Sequence, residues 1–395
     1  MSENDIVFAG VSALPVTRDG NAPLPDMCAH VAIDALNDAG LTPAEVDGLF
    51  VSPACLSGGD WMMFAATLGE YLGLTTKALV CLENGGITSL LALRSACDAV
   101  VLGRVKNALV IASDRRPVID PTHFEAFVHG VTFSSMGLYG PTVGPLGLGP
   151  PVPIYAMSAQ RYKHEYGATD EDLAFVSVRL REHASKHPIA QFSASTTIEE
   201  VLGSKMVSPP LRIAQCAAIS TGAAAIVVTR AENAKDNGKA QVRLTGYGEH
   251  HHPSHFIPQR GSLTRFEAVE EAAKTAFAQA GKTPADVDVA EIYGVFAATE
   301  LILYEDLGFC EKGQGVAFLR SGRTTEGGDV LINPTGGRLS MGHPAGATPL
   351  YEVAEIVDQL RGEAKGIQAP DAKTGLVHAE HGMMNGSIVL IMERS

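Results

Sequence analysis

Apolar and polar residues follow two patterns along this chain, one typical of amphipathic helices and one typical of buried strands. From Ala32 to Gly40, small and apolar residues recur at helical spacing, and the segment Thr-Pro-Ala-Glu-Val-Asp follows. Glycine at this point predicts the end of a helix, and the threonine–proline segment predicts a short capped turn. Apolar stretches such as Gly48–Val51 and Thr221–Arg230 predict strands buried on both faces.

The same order of elements occurs twice. Residues Ala32–Asp47 and Ala273–Asp288 share the frame Ala-x-x-Ala-x-x-x-Ala-Gly-x-Thr-Pro-Ala-acid-Val-Asp, and a strand follows each. The glycine-led strand Thr221–Arg230 is matched in the same way by Asn385–Arg394. Two repeated pairs in one order predict an α/β protein built from two duplicated halves, at 1–235 and 236–395.

Further elements are predicted inside the first half. Lys77–Cys81 reads as a strand, and Ile87–Leu102 as a helix that Gly103 ends. An insert over residues 115–205 makes this half longer and carries a glycine- and proline-rich stretch at 139–153, followed by a helix over Ile154–Tyr166. Aromatic and apolar residues at 124–139 precede that stretch and favour a pocket lining or an interface over a plain linker.

Composition and charge limit the possible partners. The 395 residues are 46% hydrophobic and carry a net charge of −14, which argues against nucleic acid or anionic membrane as a general partner but leaves room for a local basic pocket. Six scattered cysteines without a CxxC pair predict neither a zinc site nor a disulfide framework. The N-terminus lacks signal-peptide features and no apolar run has transmembrane length, so we expect a cytoplasmic protein.

The segment from Asn333 to Thr348 carries the clearest chemical signal. It reads Asn-Pro-Thr-Gly-Gly-Arg-Leu-Ser-Met-Gly-His-Pro-Ala-Gly-Ala-Thr, with four glycines and two prolines around one histidine. Glycines allow close backbone approach and prolines stiffen the loop, so His343 and several backbone N–H groups can be held against a ligand. We therefore predict an active-site loop.

This loop resembles the asparagine–glycine–glycine … glycine–histidine–proline loop of the thiolase superfamily, and the resemblance extends from about residue 5 to the C-terminus. The segment Ala290–Phe296, followed by 300–309, resembles the sterol-carrier/lipid-transfer branch. The resemblance implies βαβαβαββ halves stacked in a five-layered αβαβα arrangement. It also implies that His343 exchanges protons with an acyl-CoA substrate, and that Asn333, Gly337, Gly86 and Gly386 bind substrate.

The nucleophile that the resemblance implies is missing. Thiolases carry a cysteine at the N-terminus of the buried helix, and the branch's spacing puts that position at Gly86, which cannot form a thioester. Cys81 and Cys97 read as buried core residues, and Thr88 and Ser89 as caps or backbone ligands.

Two further residues are candidates for proton transfer. His381 resembles the histidine that the lipid-transfer branch carries near its C-terminus, although Met384 and Ser387 replace two glycines of that motif. Tyr293 stands where family members have asparagine or histidine, and in aldolase relatives a tyrosine there is taken as a proton donor. A structural role for either residue stays open at this point.

These residues favour chemistry without an acyl-enzyme. Retro-aldol cleavage of a β-hydroxyacyl-CoA, such as a steroid side-chain intermediate, needs acid/base groups and an oxyanion site, which Tyr293, His343 and His381 can supply. No cofactor is expected beyond the CoA of the substrate. The resemblance implies a homodimer and a small OB-fold partner that helps to bind CoA. The alternatives are a non-catalytic acyl-CoA or lipid-binding subunit, and a thiolase-type acetyltransferase that uses a displaced Cys81.

Two polar clusters carry little functional signal. The segment 250–255 holds four histidines, but consecutive histidines rarely converge on one ion, so no metal site is predicted. Asp114, Arg115 and Arg116 read as a solvated turn rather than as a contact to CoA phosphates.

Overall fold

The computed structural model describes residues 6–53, 63–118, 151–253, 261–382 and 384–395. Cys55, His255, the apolar residues at 124–139 and most of the glycine- and proline-rich stretch lie outside these ranges.

Strands and helices follow one another in the order that the sequence predicts. The strands are β1 (Ile6–Ala13), β2 (Gly48–Ser52), β3 (Ala78–Cys81), β4 (Asn107–Asp114), β5 (Met206–Ser208), β6 (Leu211–Arg212), β7 (Gly222–Arg230), β8 (Val242–His251), β9 (Val289–Glu291), β10 (Leu331–Ile332), β11 (Thr374–His381) and β12 (Gly386–Arg394). The helices are α1 (Leu24–Asp38), α2 (Phe64–Tyr71), α3 (Thr88–Val101), α4 (Val152–Tyr166), α5 (Asp170–Ala184), α6 (Ile198–Gly203), α7 (Glu267–Ala280), α8 (Ala297–Asp306), α9 (Gly315–Arg320), α10 (Gly337–Ser340) and α11 (Thr348–Arg361). Most predicted ends lie within two residues of these, but α1 and α7 begin at Leu24 and Glu267, well before the repeated segments that start at Ala32 and Ala273.

The large sheet consists of two five-stranded halves with one topology. Its order is β10-β9-β11-β12-β8-β1-β7-β4-β2-β3, so each half places its first strand at the junction, then its last, fourth, second and third main strands. The halves meet between β8 and β1 through one paired position, Val7 with Arg243. The duplication is therefore confirmed at the level of topology, while the boundary at residues 235 and 236 stays a prediction.

Repeated side chains explain why the two halves fold alike. The predicted turns are 3₁₀ turns at Pro43–Glu45 and Pro284–Asp286, each with a threonine–acid capping box. The aspartate that follows each turn, Asp47 or Asp288, then accepts two backbone N–H groups at the start of the neighbouring parallel strand, β4 or β11. The same short sequence thus fixes where two strands pair in each half.

Helices cover and separate the two half-sheets. α1 packs against β1, β7 and β4 on one outer side, and α7 packs against β8 and β12 on the other. Between the half-sheets, α3 and α11 contact each other, and α11 contacts strands of both halves. This is the five-layered αβαβα arrangement that was expected. No helix in the described ranges is long and apolar enough to cross a membrane.

Candidate active site

His343 lies on the loop that joins α10 to α11, and the backbone of the first half holds it in place. Its N–H donates to the carbonyl of Ala218 at 3.0 Å, and its carbonyl accepts from Ser220 N–H at 3.0 Å. Gly342 just before it has φ +105°, and a Cβ there would lie 2.7 Å from the Val16 side chain. A glycine is therefore required for the loop to present its histidine.

The surroundings of His343 keep its imidazole neutral. Nδ1 lies 3.0 Å from the Thr348 hydroxyl and 3.4 Å from Nη1 of Arg338. Burial, and then the positive charge of Arg338, lower the pKa of His343 well below its usual value. His343 as a whole residue is half-buried, and its imidazole is neutral at neutral pH.

The structure brings Tyr293 and His343 together. Their ring centroids are 5.7 Å apart with an 82° angle between planes, an edge-to-face contact. On the Tyr293 ring also lies the guanidinium of Arg338, with Cζ 3.1 Å from the centroid. Arg338 Nη2 donates to Oε2 of Glu352 at 2.8 Å, and both of these charged side chains are fully buried.

Arg338 was missed by the sequence reasoning. Its position inside the glycine-rich loop was the one signal that could have found it. In the folded chain it contacts Tyr293 and His343, and a buried cation there affects any charge that develops on them.

Gly86 faces Tyr293 directly. It lies in the 3₁₀ turn Gly85–Ile87 that leads into α3. A Cβ on Gly86 would collide with the Tyr293 hydroxyl and with the Glu380 carbonyl, and would lie 3.0 Å from Cζ of Tyr293. The phenol therefore occupies the space into which a side chain at residue 86 would extend.

No described cysteine has the environment of an activated nucleophile. Cys81 is exposed on the edge strand β3, contrary to the buried core position expected for it, and desolvation raises the pKa of its thiol. Burial raises the pKa of Cys28, Cys216 and Cys310 to about 12. Cys97 is buried in α3, as expected.

Thr88 acts as a backbone ligand at the start of α3, as predicted. Its hydroxyl accepts the N–H of Asn84 at 2.6 Å and so closes the turn that carries Gly86. The neighbouring Ser89 is fully buried.

Asn333 uses its amide within the protein. Its oxygen accepts the N–H of Ile292 at 2.8 Å, and its nitrogen donates to Oε1 of Glu300 at 2.8 Å. Gly337 packs against this side chain so closely that a Cβ on it would lie 2.8 Å from the Asn333 amide nitrogen. This pair fixes the end of β9 ahead of Tyr293, while the expected role of Asn333 in substrate binding stays a prediction.

His381 lies at the end of β11 beside the turn that carries Gly86. A Cβ on Gly85 would be 3.6 Å from the Cβ of His381. Its Nε2 lies 2.9 Å from Nδ1 of His251, and Gly386 between them leaves the space for both rings. His251 belongs to the histidine segment that the sequence reasoning set aside, so its link to a candidate site residue was missed.

Within the described ranges no three His, Cys, Asp or Glu side chains are placed to hold a metal ion. Because His255 lies outside those ranges, the expectation for the segment 250–255 stays a prediction. For Asp114, the solvated-turn interpretation was wrong: its carboxylate is buried and accepts the N–H of Gly346 at 3.1 Å, which ties β4 to the histidine loop.

Comparison with known proteins gives consistent family assignments. A family profile described as "Thiolase C-terminal domain-like" matches residues 248–394. "Acetyl-CoA acetyltransferase" of Methanothermobacter thermautotrophicus (strain Delta H) is 34% identical over 99% of this chain and 100% of its own. "Sterol carrier protein 2" of Bos taurus is 30% identical over 95% of this chain and 70% of its own.

A solved structure agrees over nearly the whole chain. The "Ltp2-ChsH2(DUF35) aldolase" structure superposes with a TM-score of 0.83 at 26% identity, covering 99% of this chain and 98% of that one. The fold is therefore thiolase-like. These similar proteins carry both acyltransferase and aldolase names, so the type of reaction has to be argued from the site.

Proposed function

The chain belongs to the thiolase superfamily, and from that premise we propose that it cleaves a β-hydroxyacyl-CoA by a retro-aldol reaction without forming an acyl-enzyme. The observation that carries this proposal is the contact between Gly86 and the phenol of Tyr293. Gly86 has no side chain that could be acylated, and the phenol leaves no space for one. A proton-transferring group occupies that space instead.

The neutral imidazole of His343 suits the role of base. Nδ1 of His343 faces the Thr348 hydroxyl at 3.0 Å and Nη1 of Arg338 at 3.4 Å. The role of base requires the tautomer in which Nδ1–H donates to the Thr348 hydroxyl and Nε2 keeps a lone pair. With its pKa held low, His343 can accept a proton at neutral pH but returns it readily.

The reaction balances with two groups that exchange protons. His343 removes the proton from the β-hydroxyl, the bond between the α and β carbons breaks, and a carbonyl product leaves. The electron pair of the broken bond stays on the α carbon and forms the enolate of the shortened CoA thioester. Tyr293 gives its phenol proton to the α carbon, and the proton held by His343 restores the phenol directly or through water.

Arg338 supports this assignment electrostatically. Its guanidinium lies against the Tyr293 ring and beside His343, where a fixed positive charge stabilises the negative charge that develops as the phenol gives up its proton. Pairing with Glu352 offsets part of the cost of burying this cation. His381 is placed by this proposal as a third proton-transferring group.

The proposal extends to the substrate and to the partners. We propose a CoA thioester with a β-hydroxyl group, of the steroid side-chain type, and a homodimer that acts in the cytoplasm. The solved relative is named as a complex of Ltp2 with ChsH2(DUF35). By analogy, a small OB-fold partner would help to bind CoA.

The test is a cleavage assay on the full chain, with and without the candidate partner. A β-hydroxyacyl-CoA is supplied, and the carbonyl product and the shortened CoA ester are quantified together. Tyr293→Phe and His343→Ala should each lower turnover by about 10²-fold or more. The matched controls are Tyr166→Phe and His164→Ala, two exposed positions in the last turn of α4. Cleavage at wild-type rate in a Tyr293→Phe/His343→Ala double variant would refute the assignment.

Acyl transfer is the second candidate. It is favoured by the full-length similarity to a protein named an acetyl-CoA acetyltransferase. This reaction needs a covalent acyl-enzyme. Among the described cysteines Cys81 is the exposed one, so incubation with acetyl-CoA followed by peptide mass spectrometry decides between the two candidates. An acetylated Cys81 peptide, lost in Cys81→Ser, would favour acyl transfer.

A further inference from the structure

Three residues lie in one row across three neighbouring strands of the second half. His381 on β11 pairs with Gly386 on β12, and Gly386 pairs in turn with His251 on β8. The central residue has no side chain: a Cβ on Gly386 would collide with the ring of His381 and lie 2.6 Å from Nδ1 of His251. The two imidazoles therefore meet across the glycine, with Nδ1 of His251 2.9 Å from Nε2 of His381.

Glu249 extends this row along β8. It lies two residues before His251 and therefore on the same face of the strand, and its Oε1 is 2.6 Å from Nε2 of His251. The other oxygen of Glu249 accepts a hydrogen bond from the Tyr247 hydroxyl. Arg94 of α3, which also pairs with Asp98, lies over the Tyr247 ring at 4.5 Å.

This polar row faces the middle layer rather than the outer helix. Gly246 and Gly248 point the opposite way, since a Cβ at either would collide with a backbone carbonyl of α7. The row therefore starts beside the central helix α3 and ends beside the turn that carries Gly86.

The direction of the hydrogen bonds follows from the carboxylate. Both oxygens of Glu249 accept, so Nε2 of His251 carries a proton and donates it to Oε1. In a neutral His251, Nδ1 is then the acceptor, and Nε2–H of His381 must be the donor across the 2.9 Å contact. A neutral His381 consequently holds its lone pair on Nδ1.

The two ends of the row lie in different surroundings. The side chains of His251 and Glu249 are 40% and 30% exposed, so protons can be exchanged with water there. At the other end of the row, His381 comes directly after Glu380 in the chain, and the backbone carbonyl of Glu380 lies against Gly86. One end is thus in solvent and the other is next to the candidate site.

We propose that His251 and Glu249 are positioning residues that set the tautomer of His381 and connect it to solvent for proton exchange. The catalytic part of this inference rests on the proposed function. A proton taken up at Nδ1 of His381 releases the Nε2 proton to Nδ1 of His251. His251 then passes its Nε2 proton to Glu249, which loses it to water. The reverse sequence returns a proton to Nε2 of His381 when Nδ1 has given one up.

The first arm of the test does not require turnover. Nitrogen NMR of the imidazoles, with His381 assigned from a His381→Gln variant, should show the Nε2–H tautomer in the wild-type chain. His251→Ala should change the tautomer populations of His381, whereas His250→Ala, on the same strand but the opposite face, should leave them unchanged. An Nδ1–H tautomer in the wild-type chain, or populations that stay the same in His251→Ala, would overturn the proposal.

The second arm measures proton exchange during cleavage of a β-hydroxyacyl-CoA. His251→Ala should lower turnover at least about tenfold, and imidazole added to the buffer should restore it in proportion to its concentration. A purely structural role predicts no rescue, so a loss that imidazole does not restore would count against the relay. If the wild-type chain cleaves nothing, the proposed function fails, and the tautomer measurement alone decides the role of His251.

Discussion

The hydroxyl group of Tyr293 occupies the space into which any side chain on Gly86 would extend. Each residue therefore explains the other: glycine at 86 makes room for the phenol, and the phenol fills the site that the thiolase resemblance assigns to a nucleophile. A substitution at either position would therefore change the packing of the other.

Gly86→Ala tests this coupling through stability. The added methyl group would collide with the Tyr293 hydroxyl and the Glu380 carbonyl, so we expect a loss of about 1–3 kcal/mol in the free energy of unfolding, typical of overpacking. Gly203→Ala is the control, because a Cβ there meets nothing within 4 Å. Chemical denaturation measures both. Equal stability of the two variants would mean that the phenol does not fill this space.

Asn333→Ala should act on stability rather than on substrate affinity. The change leaves the Ile292 N–H without its buried acceptor and removes one of the hydrogen bonds to the Glu300 carboxyl, so we expect a loss of about 1–3 kcal/mol. Asn237→Ala on the surface, which removes two exposed hydrogen bonds, is the control. Thermal unfolding and the KM for the CoA substrate are measured together, and a raised KM with unchanged stability would contradict this role.

The sequence predicted the fold well where signals are local. The duplicated threonine–proline turns and Asp47 and Asp288 use the same hydrogen bonds in both halves, so a repeated string of residues leads directly to a repeated structure. Proximity of His343 and Tyr293 could likewise be expected from the family resemblance, and the edge-to-face contact agrees with it.

Other parts of the site depend on contacts between distant segments. The pairing of His251 with His381 arises from the register of β8, β12 and β11, which no local pattern specifies. The burial of Asp114 beneath the histidine loop depends on how β4 packs against it. These residues could not be assigned from the sequence because their role lies in tertiary packing.

The buried ion pair of Arg338 and Glu352 gives a prediction about charge. Glu352→Gln leaves the guanidinium without its anion and should cost about 3–5 kcal/mol of stability. The double variant Arg338→Met/Glu352→Gln should be less destabilised than the single one, because no uncompensated charge remains buried. A double variant that unfolds at lower denaturant than Glu352→Gln would contradict this account.

Stability should depend on pH in opposite directions over two windows. Burial raises the pKa of Glu300 to about 8 and of Asp306 to about 7, so their stabilising contribution is complete below pH 3.8 and is lost as pH rises to 8. Desolvation lowers the pKa of His183 to about 4 and of His378 to about 3, so their contribution is present above pH 6.5 and is lost as pH falls through those values. Between pH 4.5 and 6.5 the gain from the two histidines offsets the loss from the two carboxyls, so we expect nearly constant stability there and a fall from pH 6.5 to 8.

Glu300→Gln isolates the alkaline window. Removing this carboxyl should flatten the fall in unfolding free energy between pH 6.5 and 8 by up to about 1.4 kcal/mol per pH unit. Glu326→Gln, in the exposed turn before β10, controls for the change in net charge. An unchanged slope in the Glu300 variant would show that this carboxyl does not titrate in the window.

Whether the enzyme ever carries its substrate covalently is the most direct question. Intact-mass spectrometry of the wild-type chain, quenched during cleavage of a β-hydroxyacyl-CoA, answers it. We predict a carbonyl product and a shortened CoA ester while the protein keeps the mass of its unmodified sequence throughout. A transient protein species heavier by the acyl group, mapped to a cysteine and formed fast enough to account for turnover, would contradict the acid/base mechanism.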